Sequence, residues 1–145
     1  MSDGCLVGQG RVSVNRFASR ALLAGMASPT THYDLIAWQE AMNLVEAVYR
    51  DTENFPSKEA FGLIAQMRRS AISIPSNLAE GAARNSRKEF TQFVGVSCGS
   101  LAELQTQLQL SVRLGYLSAE APSLDLAIRV GKLVRSLRKS LRPVD

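Results

Sequence analysis

Apolar residues recur at alternating steps of three and four along four stretches of the chain, the spacing of a buried helix face. In the stretch at residues 58–84 this face carries Ile64, Met67, Ala71, Ile74 and Leu78. Residues 33–52, 86–115 and 118–141 show the same periodicity, and no segment alternates as a strand does. The pattern predicts an all-α fold, an antiparallel up-down-up-down four-helix bundle with short connections.

The other three helices have core faces of the same kind. These are Leu35, Trp38, Met42, Val45 and Tyr49 in the first helix, Phe90, Phe93, Ser97, Leu101, Leu104 and Leu108 in the third, and Leu126, Val130, Leu133, Leu137 and Leu141 in the fourth.

Helix starts have their own signals. Thr31 with Asp34 and Ser86 with Glu89 have the capping-box spacing, and Pro122 suits a first helical turn. We therefore expect helices to begin near these residues.

Pro75 interrupts the second helix without shifting its apolar phase. A proline in a helix interior leaves the carbonyl four residues earlier without its donor, at a cost of about 3 kcal/mol. Gly81 adds about 1 kcal/mol relative to alanine. We expect a kink at Pro75, with Ser73, Ser76 or Asn77 bonding the freed carbonyl. The alternative is that Pro75 ends one helix and a second begins there.

Residues 1–31 differ in composition from the rest of the chain, with four glycines and three arginines against a single acid, Asp3. A short secretory signal around residues 21–27 is one interpretation, and a basic arm that touches nucleic acid is another. The third, which we expect, is a disordered or misassigned extension, with translation starting at Met26. The bundle domain then covers residues 32–145.

Composition and cysteine usage narrow the function classes. The chain has 145 residues, 46% of them hydrophobic and 21% charged, which suits one ordinary globular domain. Cys5 and Cys98 are too few and too far apart for a disulfide framework or a zinc site. His32 is the single histidine, so no Ser-His-Asp or Cys-His arrangement is available.

Other absences in the sequence point the same way. No paired Glu-x-x-His spacing, phosphate-binding glycine loop or apolar run of 18 residues occurs. We expect a cytoplasmic, non-enzymatic protein with no cofactor, no bound metal and no membrane contact.

Charge is distributed unevenly along a chain whose net charge is +4. Residues 118–145 hold six cations against three acids, whereas residues 33–54 hold one arginine against five acids. These cations could neutralise phosphates, or acidic first helices could meet basic fourth helices between subunits. The candidate nucleic-acid-binding residues are Arg129, Lys132, Arg135, Arg138, Lys139 and Arg142, followed by Arg84, Arg87 and Lys88.

Several motifs carry a family resemblance. They are Y-D-L-x-x-W-Q at residues 33–39, F-P-x-x-E at 55–59, Q-M-R-R-S-A at 66–71, S-I-P-S-N-L-A-E-G at 73–81 followed by Arg84, and G-S-L-A-E-L-Q-T-Q-L at 99–108. The chain closely resembles the small bacterial four-helix bundle protein encoded within intervening sequences of 23S ribosomal RNA genes, over residues 33–141. Residues 1–31 lie outside the resemblance.

The resemblance implies a four-helix bundle that assembles into a ring, a pentamer. It also implies kinship with the accessory protein of diversity-generating retroelements, a basic barrel that binds nucleic acid and a reverse transcriptase. The family's polar signature falls on Gln66, Arg69, Ser73, Asn77, Glu80, Arg84, Glu103 and Gln107. One interpretation is a buried hydrogen-bonded network among Arg69, Asn77, Glu80 and Glu103 that sets helix register. The other is a surface for a ligand or nucleic acid.

The functional hypothesis is a non-enzymatic homo-oligomer that binds RNA or DNA through basic side chains. The alternative is a protein-interaction scaffold that receives a protein partner and does not bind nucleic acid.

Overall fold

The computed structural model describes residues 31–142, and the expectations for residues 1–30 lie outside that range. Four helices follow one another: α1 (Ile36–Thr52), α2 (Leu63–Ala82), α3 (Arg87–Arg113) and α4 (Pro122–Ser140). One-turn 3-10 helices at His32–Asp34 and Ser57–Glu59 precede α1 and α2, and no strand occurs within the described range. The all-α, four-helix prediction is confirmed.

Each helix packs against two others, α2 against α1 and α3, and α4 against α1 and α3. The contacts between α2 and α3 run in opposite chain order. Ser97 Oγ donates to the Ile74 carbonyl at 3.0 Å, whereas Ser111 Oγ contacts Met67 Sδ at 3.3 Å. Between α3 and α4, Gln105 Nε2 donates to the Ala127 carbonyl at 3.3 Å. The core therefore lies between helices that meet side by side around the bundle.

The core face of α1 differs from the predicted one. Leu44 and Val48 are fully buried, and Ala37 and Ala41 are buried with them. Two of the predicted core residues, Met42 and Tyr49, are each 38% exposed, and Trp38 and Val45 are only partly buried. The observed face is rotated from the predicted one by about one residue, or about 100°. Leu35 is nevertheless buried as predicted, and Trp38 and Val45 pack against the core. The face that other helices approach combines Leu44 and Val48 with small alanines.

The core prediction is closer in the remaining helices. All five residues predicted for α2 are buried or packed against the core, and Leu101, Leu104 and Leu108 of α3 are buried as predicted. In α4 Val130 is buried, while Leu133 and Leu137 pack at the margin of the core. Ala127, Gly131 and Val134 take the most buried positions, because small residues again allow close packing.

Two of the three helix-start signals mark the start of a long helix, and the third marks the 3-10 turn before α1. Glu89 donates its backbone N–H to Ser86 Oγ at 3.2 Å, and α3 begins at the next residue after Ser86. Pro122 is the first residue of α4. Thr31 donates its N–H to Asp34 Oδ2 at 3.1 Å, but this pair closes the 3-10 turn that precedes α1.

Helix α2 continues through Pro75, so the interpretation in which the proline separates two helices is wrong. Two side chains reinforce the backbone beside it. Ser76 Oγ donates to the Ile72 carbonyl at 2.8 Å, and Asn77 Nδ2 donates to the Ser73 carbonyl at 2.7 Å. Pro75 has no N–H to donate to the carbonyl of Ala71. The two side chains bond the next two carbonyls along the chain, those of residues 72 and 73, and not the freed one. The bend at Pro75 stays a prediction.

Candidate nucleic-acid interface

Two groups of cations that are distant in sequence meet at one end of the bundle. The Arg87 guanidinium, at the start of α3, donates to the main-chain carbonyl of Ser140, the last residue of α4. This contact joins the α2–α3 connection to the end of α4. The six exposed cations in these segments, here called the basic end, are Arg84, Arg87, Lys88, Arg138, Lys139 and Arg142.

Most of the basic end has no acidic partner. Only two ion pairs form among residues 31–142, and of the six cations only Arg84 takes part, with Glu80 one turn before it. The Arg84 guanidinium also lies over the Phe93 ring, 5.0 Å from its centre. Glu89, the nearest acid in sequence to Lys88, accepts a hydrogen bond from Ser86. The remaining cations therefore present positive charge to solvent.

The other three cations of α4 lie farther from this end, between Arg129 and Arg135. Lys132 and Arg135 are exposed, and Arg129 Nε lies 3.3 Å from Glu40 Oε2 of α1. The Glu40 side chain is 16% exposed and that of Arg129 is 66% exposed. The acidic first helix and the basic fourth helix therefore pack together within one chain. The sequence had suggested that they could meet between subunits.

The polar signature lies along the line where α2 meets α3. Ser73 Oγ and Ser100 Oγ are 2.8 Å apart, and Asn77 Nδ2 donates to Ser73 Oγ at 3.0 Å. Ser100 is a residue that the sequence reading missed, although it stands in the S-L-A-E motif of α3. The Ser73–Ser100 hydrogen bond joins α2 to α3, and Asn77 supports Ser73 from within α2.

The charged members of the signature face outward. Arg69, Glu80 and Glu103 are exposed, which contradicts the interpretation of a buried network that includes them. Glu103 Oε1 accepts from Gln107 Nε2 at 3.2 Å, and Gln66 and Arg84 are also exposed. The signature is therefore a mostly exposed polar strip, in which Ser73 and Asn77 are partly buried and only Gln107 is buried.

An apolar groove opens between α1 and α2, with a volume of about 340 Å³. Its walls are formed by Trp38, Met42, Val45, Ile72, Pro75 and Ala79, with His32 and Ser76 at its margin. We call it the α1–α2 groove. The sequence reading missed it because it assigned the Trp38–Met42–Val45 side of α1 to the core.

The described range offers neither a cluster of metal ligands nor a membrane-spanning helix. No three His, Cys, Asp or Glu side chains within residues 31–142 come together as metal ligands. None of the helices in this range is both long enough and apolar enough to cross a bilayer.

Comparisons with known proteins agree with the fold. A family model described as 23S rRNA-intervening sequence protein matches residues 33–139. A similar solved structure is that of a protein of unknown function from the S23 ribosomal protein family of Bacteroides thetaiotaomicron. It is 21% identical, with a TM-score of 0.64, and the match covers 72% of this chain and 96% of that one. No curated protein matches the chain.

Proposed function

This chain belongs to the 23S rRNA-intervening sequence protein family, and we propose that it is a non-enzymatic, homo-oligomeric bundle that binds RNA or DNA through its basic end. The observation that carries the proposal is the hydrogen bond from Arg87 to Ser140. It joins the two segments that carry the six exposed cations of the basic end, five of which have no acidic partner among the described residues.

Phosphate neutralisation is the interaction that this surface suits. Exposed lysine and arginine side chains displace condensed counterions from a nucleic-acid backbone, so affinity falls as salt rises. Such contacts carry no base specificity by themselves. Arg129 contributes less than the sequence suggested, because Glu40 offsets its charge. Lys132 and Arg135 extend the surface along α4.

We also propose that copies of the chain assemble, with five as the number that the family resemblance implies, in the bacterial cytoplasm. Assembly repeats the basic end once per subunit. Several weak phosphate-binding surfaces on one particle then engage one polynucleotide with an effective concentration set by their spacing. A chain whose net charge is only +4 gains useful affinity in this way.

Filter binding with a structured RNA and a single-stranded DNA of equal length, across a series of salt concentrations, tests the proposal. If three to five phosphates are neutralised, the log–log plot of affinity against salt has a slope of about −2.7 to −4.5 for a duplex and about −2 to −3.5 for a single strand. A slope near zero, or no retention at the lowest salt concentration, overturns it. Comparing the two probes shows whether an unpaired DNA phosphate backbone is enough for binding.

The α1–α2 groove favours a second function, that of a scaffold for a protein partner. Apolar grooves with aromatic walls are a common way to receive a helix or an aromatic side chain. A pull-down with the full chain after nuclease treatment distinguishes the two functions. One protein enriched under these conditions, with no RNA or DNA binding at low salt, would favour the scaffold.

A further inference from the structure

We propose that the Phe61 ring of one copy occupies the α1–α2 groove of the next copy. The inference rests on the homo-oligomer proposed above and names the contact that builds it. The two surfaces are separate on the molecule, and each is incomplete alone. One is an aromatic ring in solvent, and the other is an apolar groove that no described side chain fills.

Phe61 is the more unusual of the two features. It is 99% exposed, whereas Tyr33, the next most exposed large hydrophobic residue within residues 31–142, is 62% exposed. An aromatic ring left wholly in water forgoes its burial, and aromatic residues are enriched at the centres of interfaces. A phenylalanine that the fold leaves uncovered therefore marks a contact with another molecule.

The turn that carries Phe61 is held in place. Glu59 Oε2 accepts the backbone N–H of Leu63 at 3.2 Å, and Glu59 Oε1 accepts from the Tyr116 hydroxyl at 3.4 Å. The Gly62 N–H donates to the Glu59 carbonyl at 3.1 Å. These bonds tie the turn to the start of α2 and to the α3–α4 connection. The ring is thus presented on an ordered support, which lowers the entropy cost of binding.

The groove suits an aromatic ring. Trp38, Met42 and Val45 line it from α1, and Ile72 and Pro75 line it from α2. Methionine and tryptophan side chains adapt their packing to a ring, through sulfur–aromatic and edge-to-face contacts. Its volume of about 340 Å³ is at the lower end of small-molecule sites, which is the scale of one aromatic group with its neighbours.

Phe61 cannot reach the groove of its own chain. The nearest residue of the groove on α2 is Ile72, nine residues beyond the helix start at Leu63. At 1.5 Å per residue this is about 14 Å along the helix axis, longer than a phenylalanine side chain. The ring of one chain therefore meets the groove only in another chain.

Charge favours a second copy as the occupant. The connecting segments at the Phe61 end, residues 53–62 and 113–121, hold Glu53, Glu59 and Glu120 against Lys58 and Arg113, three acids against two cations. The groove lies toward the opposite end, which carries the six cations of the basic end. Head-to-tail approach therefore brings unlike charges toward each other and steers association. Because the ring and the groove are different surfaces, the contact is heterologous, and repeating it closes a ring or extends a chain.

Sedimentation of the full chain, with two variants, tests the contact. Phe61→Ser removes the ring, and Ala79→Phe fills the groove from α2. We expect each variant to weaken association by roughly 10- to 100-fold, the equivalent of burying one aromatic side chain. The sedimenting mass should fall toward that of one chain, 15.8 kDa. Ile128→Ser, which alters an exposed apolar residue of α4 outside the groove, should assemble as the wild type does.

Mixing the two variants provides a gain-of-association readout. Phe61→Ser keeps an intact groove and Ala79→Phe keeps an intact ring, so an equimolar mixture should form a two-chain species and stop there. Circular dichroism checks that each variant keeps the helical content of the wild type. A variant that loses this content is replaced by photo-crosslinking from position 61 of the wild-type background. Crosslinks to residues 38–45 or 72–79 of a differently isotope-labelled copy support the contact.

The outcomes separate the two proposals. A wild-type chain that sediments as a monomer at every concentration overturns the homo-oligomer, and this contact with it. A wild-type oligomer that both folded variants leave unchanged overturns only the Phe61 contact. Crosslinks from position 61 to residues 1–30 alone, or none to the groove, also overturn it.

Discussion

A Cβ atom placed on Gly81 would stand 2.7 Å from the Cβ atom of Phe93, closer than real Cβ contacts allow. It would also lie 2.8 Å from Cδ2 of Phe90. Gly81 therefore serves as the point where the end of α2 approaches the start of α3. The sequence reading treated this glycine as a helix-weakening residue beside the kink, and the approach of Phe93 supplies its physical reason.

Gly81→Ala should lower the free energy of unfolding by about 1–3 kcal/mol, because the added methyl group overpacks the α2–α3 contact. Chemical denaturation measures the change. Gly99→Ala is the matched control, since a Cβ atom there meets nothing within 4 Å. The control should be neutral, or more stable by up to about 1 kcal/mol, because alanine favours helix. Equal effects at the two glycines would contradict the interpretation.

The corrected face of α1 leads to a second prediction. Leu44→Ala removes a fully buried side chain and should cost about 2–5 kcal/mol. Met42→Ala, two residues earlier and 38% exposed, should cost less than about 1 kcal/mol at low protein concentration. Repeating the denaturation at high concentration separates any contribution from association. A larger loss of stability in Met42→Ala than in Leu44→Ala would mean that Met42, as the sequence predicted, belongs to the core face of α1.

The exposure of Arg69 predicts a small effect on stability. Loss of one partner from a buried charged network would cost about 3–5 kcal/mol. Arg69 is instead exposed and forms no ion pair within residues 31–142. Arg69→Ala should therefore change the free energy of unfolding by no more than about 0.5 kcal/mol. Thermal melts of the variant, beside Ser73→Ala at the α2–α3 contact, provide the comparison.

Charge reversal tests the basic end itself. Replacing Arg138 and Lys139 with glutamate should lower RNA affinity at least about tenfold at 0.1 M salt and reduce the salt slope by about 2. Lys58 and Arg113, at the opposite end, give a control with the same change in net charge. That control should alter affinity less than about threefold, since charges beyond a Debye length are screened. If both double variants lose affinity equally, the basic end is not the binding surface.

The contact between Glu40 and Arg129 should contribute little to stability. One partner is well exposed, and such pairs contribute about 0.2–1 kcal/mol. A double-mutant cycle with Glu40→Gln and Arg129→Gln measures the coupling. A coupling energy above about 2 kcal/mol would mean that the pair holds α1 on α4, rather than adding to contacts already made by apolar side chains.

Sequence reasoning predicted the core face more accurately in some helices than in others. In α2 and α3 the large apolar residues coincide with the core, because Met67, Ile74, Leu104 and Leu108 lie on one narrow face. In α1 the apolar arc is wider, and large residues such as Trp38 and Met42 lie at its edge. Hydrophobicity ranks these above alanine, yet close packing of helices prefers the smaller side chain. Leu44 and Val48 lie on the same face as the buried alanines, so following the large residues at the edge of the arc also missed two fully buried side chains.

The sequence also identified the candidate surfaces only in part. The cations of the basic end were all named from composition, but as two groups whose proximity no sequence pattern indicates. The α1–α2 groove was missed because its walls were assigned to the core. Ser100 was missed because a serine within a helix gives no local signal of a partner, and Ser73 is 27 residues away.

Periodicity, capping signals and turn residues are local properties, and by themselves they determined four helices, their approximate ends and the start of α3 at Ser86. Which flank of α1 is buried, and which cations share a surface, depends on contacts between residues far apart in the chain. The shape of the neighbouring helices selects Ala41 and Leu44 over Met42, and the meeting of Arg87 with Ser140 depends on where α4 ends. Only the packing of all four helices decides such relationships, because their free energy depends on distances that no single segment contains.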